Sequence, residues 1–306
     1  MRIVVALGGN ALLRRDEEPT AGNQLINIAA AARALASVIR DHDVVLTHGN
    51  GPQIGLLALL YASAGAEKSQ PLDVLGAETD GLLGHLLAQA FRTEIRGLDM
   101  AVLLTQVRVD PEDPAFADPT KPIGPVYDED EAQRLATERD WVVGPDGSGW
   151  RRLVASPAPL ELIELPAIRL LNEAGTLVVC AGGGGIPVAR DADGRVSGLE
   201  AVVDKDATAA LLATELEADA LMLLTDVSAV MRDFGTVAES PIDEIGVTDA
   251  LEMADALPGG SIGPKLRAAA EFARDTGGVG LIGALEEAEA VVAGEAGTRV
   301  GVWPRD

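Results

Sequence analysis

Three short apolar runs in this chain each stop on a cluster of glycines. Ile3 to Leu7 is followed by Gly8-Gly9-Asn10, Val44 to Thr47 by His48-Gly49-Asn50-Gly51-Pro52, and Leu177 to Ala181 by Gly182-Gly183-Gly184-Gly185. Such short, unbroken apolar runs read as strands buried on both faces, which is the signature of a parallel sheet covered by helices. The intervening stretches agree. Helical patterns run from about Gln24 to Arg40, from about Gln53, and over roughly Leu72 to Arg96, before a third strand at Met100 to Thr105. Strands alternating with amphipathic helices predict an α/β fold with a largely parallel central sheet. Ligands in such folds gather beyond the C-terminal ends of the strands, where these glycine turns lie.

The rhythm breaks between 107 and 156. This stretch holds Pro111, Pro114, Pro119, Pro122, Pro125 and Pro145, with extended pieces at Trp141 to Val143 and Trp150 to Val154. A structureless loop of that length is unusual inside a compact domain. The segment therefore reads as a protruding lid subdomain, carrying Lys121, inserted within a single domain of residues 1–306. The alternation then resumes with a helix from about Pro159 to Ala174, the strand at Leu177 to Ala181, and an acidic loop after the four glycines. A strand at Ala220 to Leu224 is followed by short hairpin strands before Ile245. Helices at Val247 to Ala256 and Pro264 to Asp275 come next. Strands at Val279 to Ile282 and Arg299 to Val302, with a helix from about Leu285 between them, complete the pattern.

Charge limits the function classes. The net charge of −24 argues against nucleic acid or an anionic membrane as partner. It also repels phosphorylated ligands at long range, so a phosphate site must be built locally. Against twenty arginines the chain has four lysines: Lys68, Lys121, Lys205 and Lys265. Where arginine is the default cation, a retained lysine marks a place that needs a compact ammonium rather than a planar fork. Lys68 sits in an ordinary loop context, but the other three lie in PTKPIGP, VDKDAT and SIGPKL. In VVDKDATAALLA, residues 202–213, a strand-like run meets a helix at Asp204-Lys205-Asp206. A cation at a helix N-terminus, flanked by two acids, suggests a missing anion.

Glycine turns at strand ends supply backbone N–H groups for the same kind of ligand. There is no G-x-x-x-x-G-K-[ST] phosphate loop, and GNGPQIG has one residue too many for the dinucleotide fingerprint. His42, His48 and His85 lack metal-ligand spacing, and the single cysteine, Cys180, reads as a core residue. One cysteine permits no internal disulfide, which points to the cytoplasm. The longest nearly uncharged helical stretch, Ile54 to Ala66, is too short to span a bilayer. Phosphoryl transfer fits what remains. It requires alignment and charge neutralisation more than covalent help from the protein. Three lysines, glycine N–H groups and a Mg²⁺ held by nucleotide phosphates suffice, with Asp206 holding two of the lysines in place.

The runs ALGGNAL (6–12), THGNGPQIG (47–55), PTKPIGPVY (119–127), WRRLVASPAP (150–159), AGGGGIPV (181–188), EAVVDKDATAALLA (200–213), LLTDV (223–227) and GSIGPK (260–265) closely resemble the carbamate kinase family of the amino acid kinase superfamily. The resemblance extends in order from Ile3 to about Val302. It implies an open αβα sandwich on a mainly parallel, eight-stranded sheet, a protruding subdomain and a homodimer. It also implies reversible phosphoryl transfer between ATP and carbamate, usually run from carbamoyl phosphate and ADP to ATP at the end of arginine breakdown. By matching positions, Gly8, Gly9 and Asn10, with Gly49, Asn50 and Gly51, resemble the cradle for carbamate and the transferred phosphoryl. Lys121 matches the subdomain lysine that reaches carbamoyl phosphate. Lys205 and Lys265 match the lysines on the moving phosphoryl and the nucleotide phosphates, and Asp206 the acid that organises them. Thr225, Asp226, Phe234, Ile262 and Gly263 fall in the family's nucleotide pocket, and no residue is expected to ligate a metal directly. Three positions depart from common patterns: Ala6 where many superfamily members carry lysine, Met231 where an aromatic is common, and Ile262 where methionine is common. A related kinase acting on a larger carboxylate and a non-catalytic nucleotide sensor are the alternatives.

Overall fold

The computed structural model describes residues 1–13, 17–18, 20–64, 70–147, 149–257 and 262–302, apart from the side chains of Asn10, Ala11 and Ala62. The first half contains β1 (Arg2–Leu7), α1 (Gly9–Leu12), α2 (Ala21–Asp41), β2 (Asp43–His48), α3 (Gly51–Ser63), α4 (Leu72–Glu94) and β3 (Met100–Val102). The middle contains β4 (Gln106–Arg108), β5 (Lys121–Tyr127), α5 (Glu129–Arg139), β6 (Val142–Asp146), β7 (Gly149–Val154), β8 (Glu161–Leu162) and α6 (Leu165–Glu173). After these come β9 (Leu177–Val179), β10 (Ile186–Arg190), β11 (Val196–Gly198), α7 (Lys205–Glu215), β12 (Ala220–Thr225), β13 (Val230–Arg232), β14 (Ser240–Ile242) and β15 (Glu244–Gly246). The last elements are α8 (Val247–Ala256), α9 (Ile262–Thr276), β16 (Val279–Ala284), α10 (Ala288–Ala293) and β17 (Thr298–Gly301).

Eight strands form the central sheet in the order β15-β17-β16-β12-β1-β2-β9-β3. Every neighbouring pair is parallel except β16 with β17. The apolar strands explain the two covering layers. Along β1, Val4 and Ala6 face one side, with residues of α7 and α9 such as Leu212, Leu266 and Phe272. Ile3, Val5 and Leu7 face the other, with residues of α2 and α4 such as Ile28, Leu35, Leu83 and Phe91. Alternate side chains leave opposite faces of a strand, so an unbroken apolar run is what a sheet buried on both sides requires. The result is an open αβα sandwich, as expected.

The chain leaves β1 towards β2 on one side, and β12 takes the position on the other, so the connection reverses at β1. Leu7 is level with His48 of β2 and Leu224 of β12. Clefts form beyond the C-terminal ends of strands at such a reversal.

Between 107 and 156, β5, β7 and β6 form a separate three-stranded antiparallel sheet with α5 against it. β4 belongs elsewhere, in a four-stranded sheet ordered β11-β10-β4-β8. Three sequence expectations change. The helix expected from Pro159 starts at Leu165, because Glu161–Leu162 is drawn into β8 opposite Val107 and Arg108. The acidic loop expected after the four glycines is a β10–β11 hairpin, pairing Val188 with Gly198 and Arg190 with Val196. The third strand is also shorter than expected and ends at Val102. Cys180 is buried as a core residue, and burial pushes its thiol far above the ordinary range. Among the described residues no helix is long and apolar enough to cross a membrane.

Candidate phosphoryl-transfer site

The reversal of connections brings the first two glycine turns into contact. The Gly8 N–H donates to Leu224 O at 2.9 Å, and the Gly49 N–H donates to Leu7 O at 3.0 Å, so both turns grow from adjacent strand ends. Gly49 has to be glycine, since a Cβ there would lie 2.8 Å from Gly9 N and 3.0 Å from Gly9 Cα. The Gly8 backbone also lies against Thr225, whose Cα would sit 3.8 Å from a Cβ at Gly8. α3 begins at Gly51, so its N-terminal N–H groups open at the same end of the sheet. Asn50 is buried and spends its amide nitrogen on Thr79 Oγ1 at 2.9 Å. Asn10 lies in α1, with its side chain outside the described residues.

The third glycine turn differs from expectation. Read from sequence as another anion-binding turn, Gly182–Gly184 is buried under neighbouring chain. Thr47 Oγ1 donates to Ala181 O at 2.8 Å, and Thr208 Oγ1 of α7 donates to Gly184 O at 2.9 Å. The turn is thus a support that ties β2 to α7. Beside it, buried His48 places Nε2 3.3 Å from Oδ1 of buried Asp80 on α4, behind the second glycine turn.

The lysines converge. α7 starts where it does because Asp204 caps it, its Oδ1 accepting from Asp206 N at 2.9 Å and Ala207 N at 3.0 Å. That places Lys205 and Asp206 in the first turn. Asp206 is buried and uses both oxygens. Lys205 Nζ donates to Oδ1, and Lys265 Nζ, arriving from the first turn of α9, donates to Oδ2 at 3.0 Å. Burial pushes the Asp206 carboxyl up, but the two ammonium groups outweigh it and hold the group below the usual carboxylate range. Burial pulls Lys205 below the ordinary lysine value; Asp206 opposes the shift and Lys265 adds to it. Lys121, at the start of β5, donates to Asp204 Oδ2 at 2.8 Å. Burial raises Asp204, but Lys121 and the capped N–H groups outweigh it and hold the carboxyl far below its usual range. One aspartate therefore joins Lys205 to Lys265, and its neighbour two residues earlier joins Lys121 to the same helix start.

The residues matched to a nucleotide pocket are distributed as follows. Thr225 is buried at the end of β12, with Oγ1 donating to Asp226 Oδ1 at 3.0 Å. Ile262 and the buried Gly263 open α9, the helix that delivers Lys265. Phe234 stands on the turn between β13 and β14, 74% exposed. Gly260 and Ser261 of the GSIGPK run lie outside the described residues, as does Lys68. Sequence reasoning missed three partners: Asp204 as the seat of Lys121, Asp80 behind His48, and Glu200, which receives Arg152 at 3.4 Å. Asp204 opens the DKD run and Glu200 precedes it by four residues, so unassigned acids in and next to a functional run were the available signal.

Residues 1–282 match the family model described as the amino acid kinase family. The chain is 46% identical over 301 residues to a carbamate kinase of Haemophilus influenzae, covering 98% of this chain and 96% of the relative. It is 42% identical over 311 residues to a carbamate kinase of Pyrococcus horikoshii, covering 98% of each. A solved carbamate kinase from Giardia lamblia bound to AMP-PNP superposes with a TM-score of 0.88 at 38% identity, covering 99% of this chain and 98% of that one. With this likeness covering nearly the whole chain, the chain belongs to the amino acid kinase family and, within it, to the carbamate kinases.

Proposed function

We propose that the protein catalyses reversible phosphoryl transfer between ATP and carbamate, at the cleft where β1, β2 and β12 end. The observation that carries the reading is Asp206, a buried carboxylate holding two lysines at the start of α7, with Asp204 of the same helix start and Asn50 of the second glycine turn both packed against Gly183-Gly184. In the forward direction a carbamate oxygen attacks the γ-phosphorus. The bond from that phosphorus to the β,γ-bridging oxygen breaks, and ADP leaves with the electron pair. The working direction in arginine catabolism is the reverse, from carbamoyl phosphate and ADP to ATP and carbamate. Gly8, Gly9, Asn10, Gly49, Asn50 and Gly51 cradle carbamate and the moving phosphoryl group: Gly9, Asn10, Asn50 and Gly51 offer main-chain N–H groups, while Gly8 and Gly49, whose N–H groups are bonded to Leu224 O and Leu7 O, let the backbone come close. Lys205 and Lys265 neutralise charge on the phosphoryl oxygens and the leaving phosphate, the largest contribution a protein can make to this chemistry. Asp206 keeps the two ammonium groups from separating, and each retains two of its three protons for phosphate.

Thr225, Asp226, Phe234, Ile262 and Gly263 hold the nucleotide, with the exposed Phe234 ring offered to the base. Asp206 has both oxygens committed to lysines, so a divalent ion fits best on the nucleotide itself; Mg²⁺ is carried on the ATP or ADP phosphates, where it adds to the neutralisation. Residues 107–156 form a lid subdomain on the single domain, and Lys121 reaches carbamoyl phosphate from it. The protein works as a homodimer in the cytoplasm.

The direct test is ATP formation from ADP and carbamoyl phosphate with Mg²⁺, with acetyl phosphate and N-acetylglutamyl phosphate as competitors. Carbamoyl phosphate is expected to be the preferred donor. Lys205→Ala and Lys265→Ala should each lower kcat by about 10²–10³-fold. A near-normal rate in either variant, or a preference for one of the larger acyl phosphates, overturns the reading.

A further inference from the structure

Asp204 is divided between two jobs. Its Oδ1 caps α7 through the N–H groups of Asp206 and Ala207, and its Oδ2 accepts Lys121 Nζ at 2.8 Å, across 83 residues of sequence. The capping bonds fix the carboxylate relative to Lys205 and Asp206, because all three belong to one helix start. The second oxygen can therefore hold a lysine from β5 at a fixed place beside the α7 cluster. Nearby contacts point the same way. Val202 N donates to Ala155 O at 3.0 Å, just after β7, and Glu200 faces Arg152 of β7 while accepting Leu72 N of α4 at 2.8 Å. The segment 200–206 thus carries both the contacts of the small three-stranded sheet and the lysine cluster of the large one.

We propose that Asp204 is a positioning residue for the transfer reaction: it seats the Lys121 ammonium at the edge of the cleft, so that the protons not given to Asp204 face the acyl phosphate. This rests on the function proposed above and extends it. A lysine side chain has several rotatable bonds, and holding it against a capped helix start removes that freedom before substrate arrives. The acyl phosphate then meets an ammonium already in place. The nucleotide, held by Lys265 and the β12 and α9 residues, does not depend on this seat.

The shared carboxylate makes the roles separable. Asparagine caps a helix about as well as aspartate. In Asp204→Asn the single carbonyl oxygen stays with the two helix N–H groups, and the amide NH₂ is turned on Lys121. Serine in Asp204→Ser also caps but is too short to reach the ammonium. Both variants should melt within a few degrees of the wild type, with a KM for ADP within about twofold. Each should lose roughly tenfold in kcat/KM for carbamoyl phosphate, the value of a lost charge-assisted contact. The deciding measurement is a double-mutant cycle with Lys121→Ala. If Asp204 acts through Lys121, Asp204→Asn in the Lys121→Ala background costs nothing further. Multiplying defects, a defect confined to the ADP KM, or unchanged kinetics in Asp204→Asn would overturn the inference while the wild-type enzyme still makes ATP. A wild type that makes no ATP from carbamoyl phosphate removes the proposed function, and this inference with it.

Discussion

Replacing Asp206 by asparagine tests the centre of the proposed site most sharply. The carboxylate is buried and bonded to both Lys205 and Lys265, so the isosteric amide leaves two ammonium groups facing each other without their shared counter-charge, with only Asp204 left near Lys205. Removing one member of a buried ionic cluster costs about 3–5 kcal/mol. The protein has one escape: Lys205, already drawn down by burial, can give up its proton. Near neutral pH, neutralising an ordinary lysine costs about 4–5 kcal/mol, which sets a ceiling on the damage. A loss of about 3–4 kcal/mol follows, corresponding to a fall in Tm of roughly 5–6 °C for a chain of this size. The escape route also fixes the sign of the pH dependence. In the variant, folded Lys205 titrates below its unfolded value, so between those two values the unfolded state binds more protons. Wild-type Lys205 is lowered too, but less far because Asp206 opposes the shift, so stability relative to wild type should recover as pH rises from the variant's folded value to the wild type's, by up to about 1.4 kcal/mol per unit. Thermal melts of both proteins from neutral to alkaline pH measure this. A deficit below about 1 kcal/mol, or one that stays constant with pH, would refute the shared buried charge.

Two further outcomes follow from the same geometry. Gly55 of α3 faces Gly124 of β5 so closely that a Cβ on Gly55 would lie 1.8 Å from Gly124 Cα, backbone that cannot yield locally. Gly55→Ala should displace the three-stranded sheet and Lys121 with it, raising the KM for carbamoyl phosphate at least about tenfold and lowering Tm; Gly81→Ala on α4, with open space at its Cβ, should instead raise Tm slightly. Because Lys205 lies below the ordinary lysine value, its ammonium is lost, and kcat/KM falls, at a lower pH than an unperturbed lysine would give. In Lys205→Arg that alkaline limb should vanish from the pH–rate profile while the overall rate drops; an unmoved limb assigns it to another group.

What could be read in the sequence was whatever a local pattern carries. The central strands announced themselves because burial on both faces demands unbroken apolar runs, and β1, β2, β12 and β16 have them. Lys121, Lys205 and Lys265 stood out because arginine is the default cation elsewhere. Elements fixed by distant partners left no such trace. β8 is two residues long and exists because Val107 and Arg108 pair with it. β11 is three exposed residues, Val196-Ser197-Gly198, too short to show an alternating pattern, so nothing in 191–200 distinguishes a strand from a loop. The third glycine turn looks like the other two in sequence, since glycine permits close approach equally to a ligand or to Thr47, Thr208 and Asn50. Asp204 was visible as one of two acids flanking Lys205 at a helix start, but its second oxygen belongs to a residue 83 positions away, and no spacing rule reports that.

The pairing of lysines with aspartates answers a difficulty set by the reaction itself. A strongly anionic chain must admit ATP, yet a bare cluster of three ammonium groups would hold any phosphate too well to release it. Interactions of equal strength in ground and transition states add nothing to the rate once substrate is bound. Asp204 and Asp206 lower the excess of the five charged groups to a single positive charge, so attraction for the resting phosphate is modest. They do so without consuming the donors: an ammonium with one proton on an aspartate keeps two directed elsewhere. In the proposed mechanism the bonds from those protons, held in fixed positions, strengthen as charge develops on the in-flight phosphoryl oxygens, and they need no reorganisation to meet it. On that mechanism the aspartates shift the balance from binding phosphate towards stabilising its transfer, in either direction, which is what a freely reversible exchange between two high-energy phosphates requires.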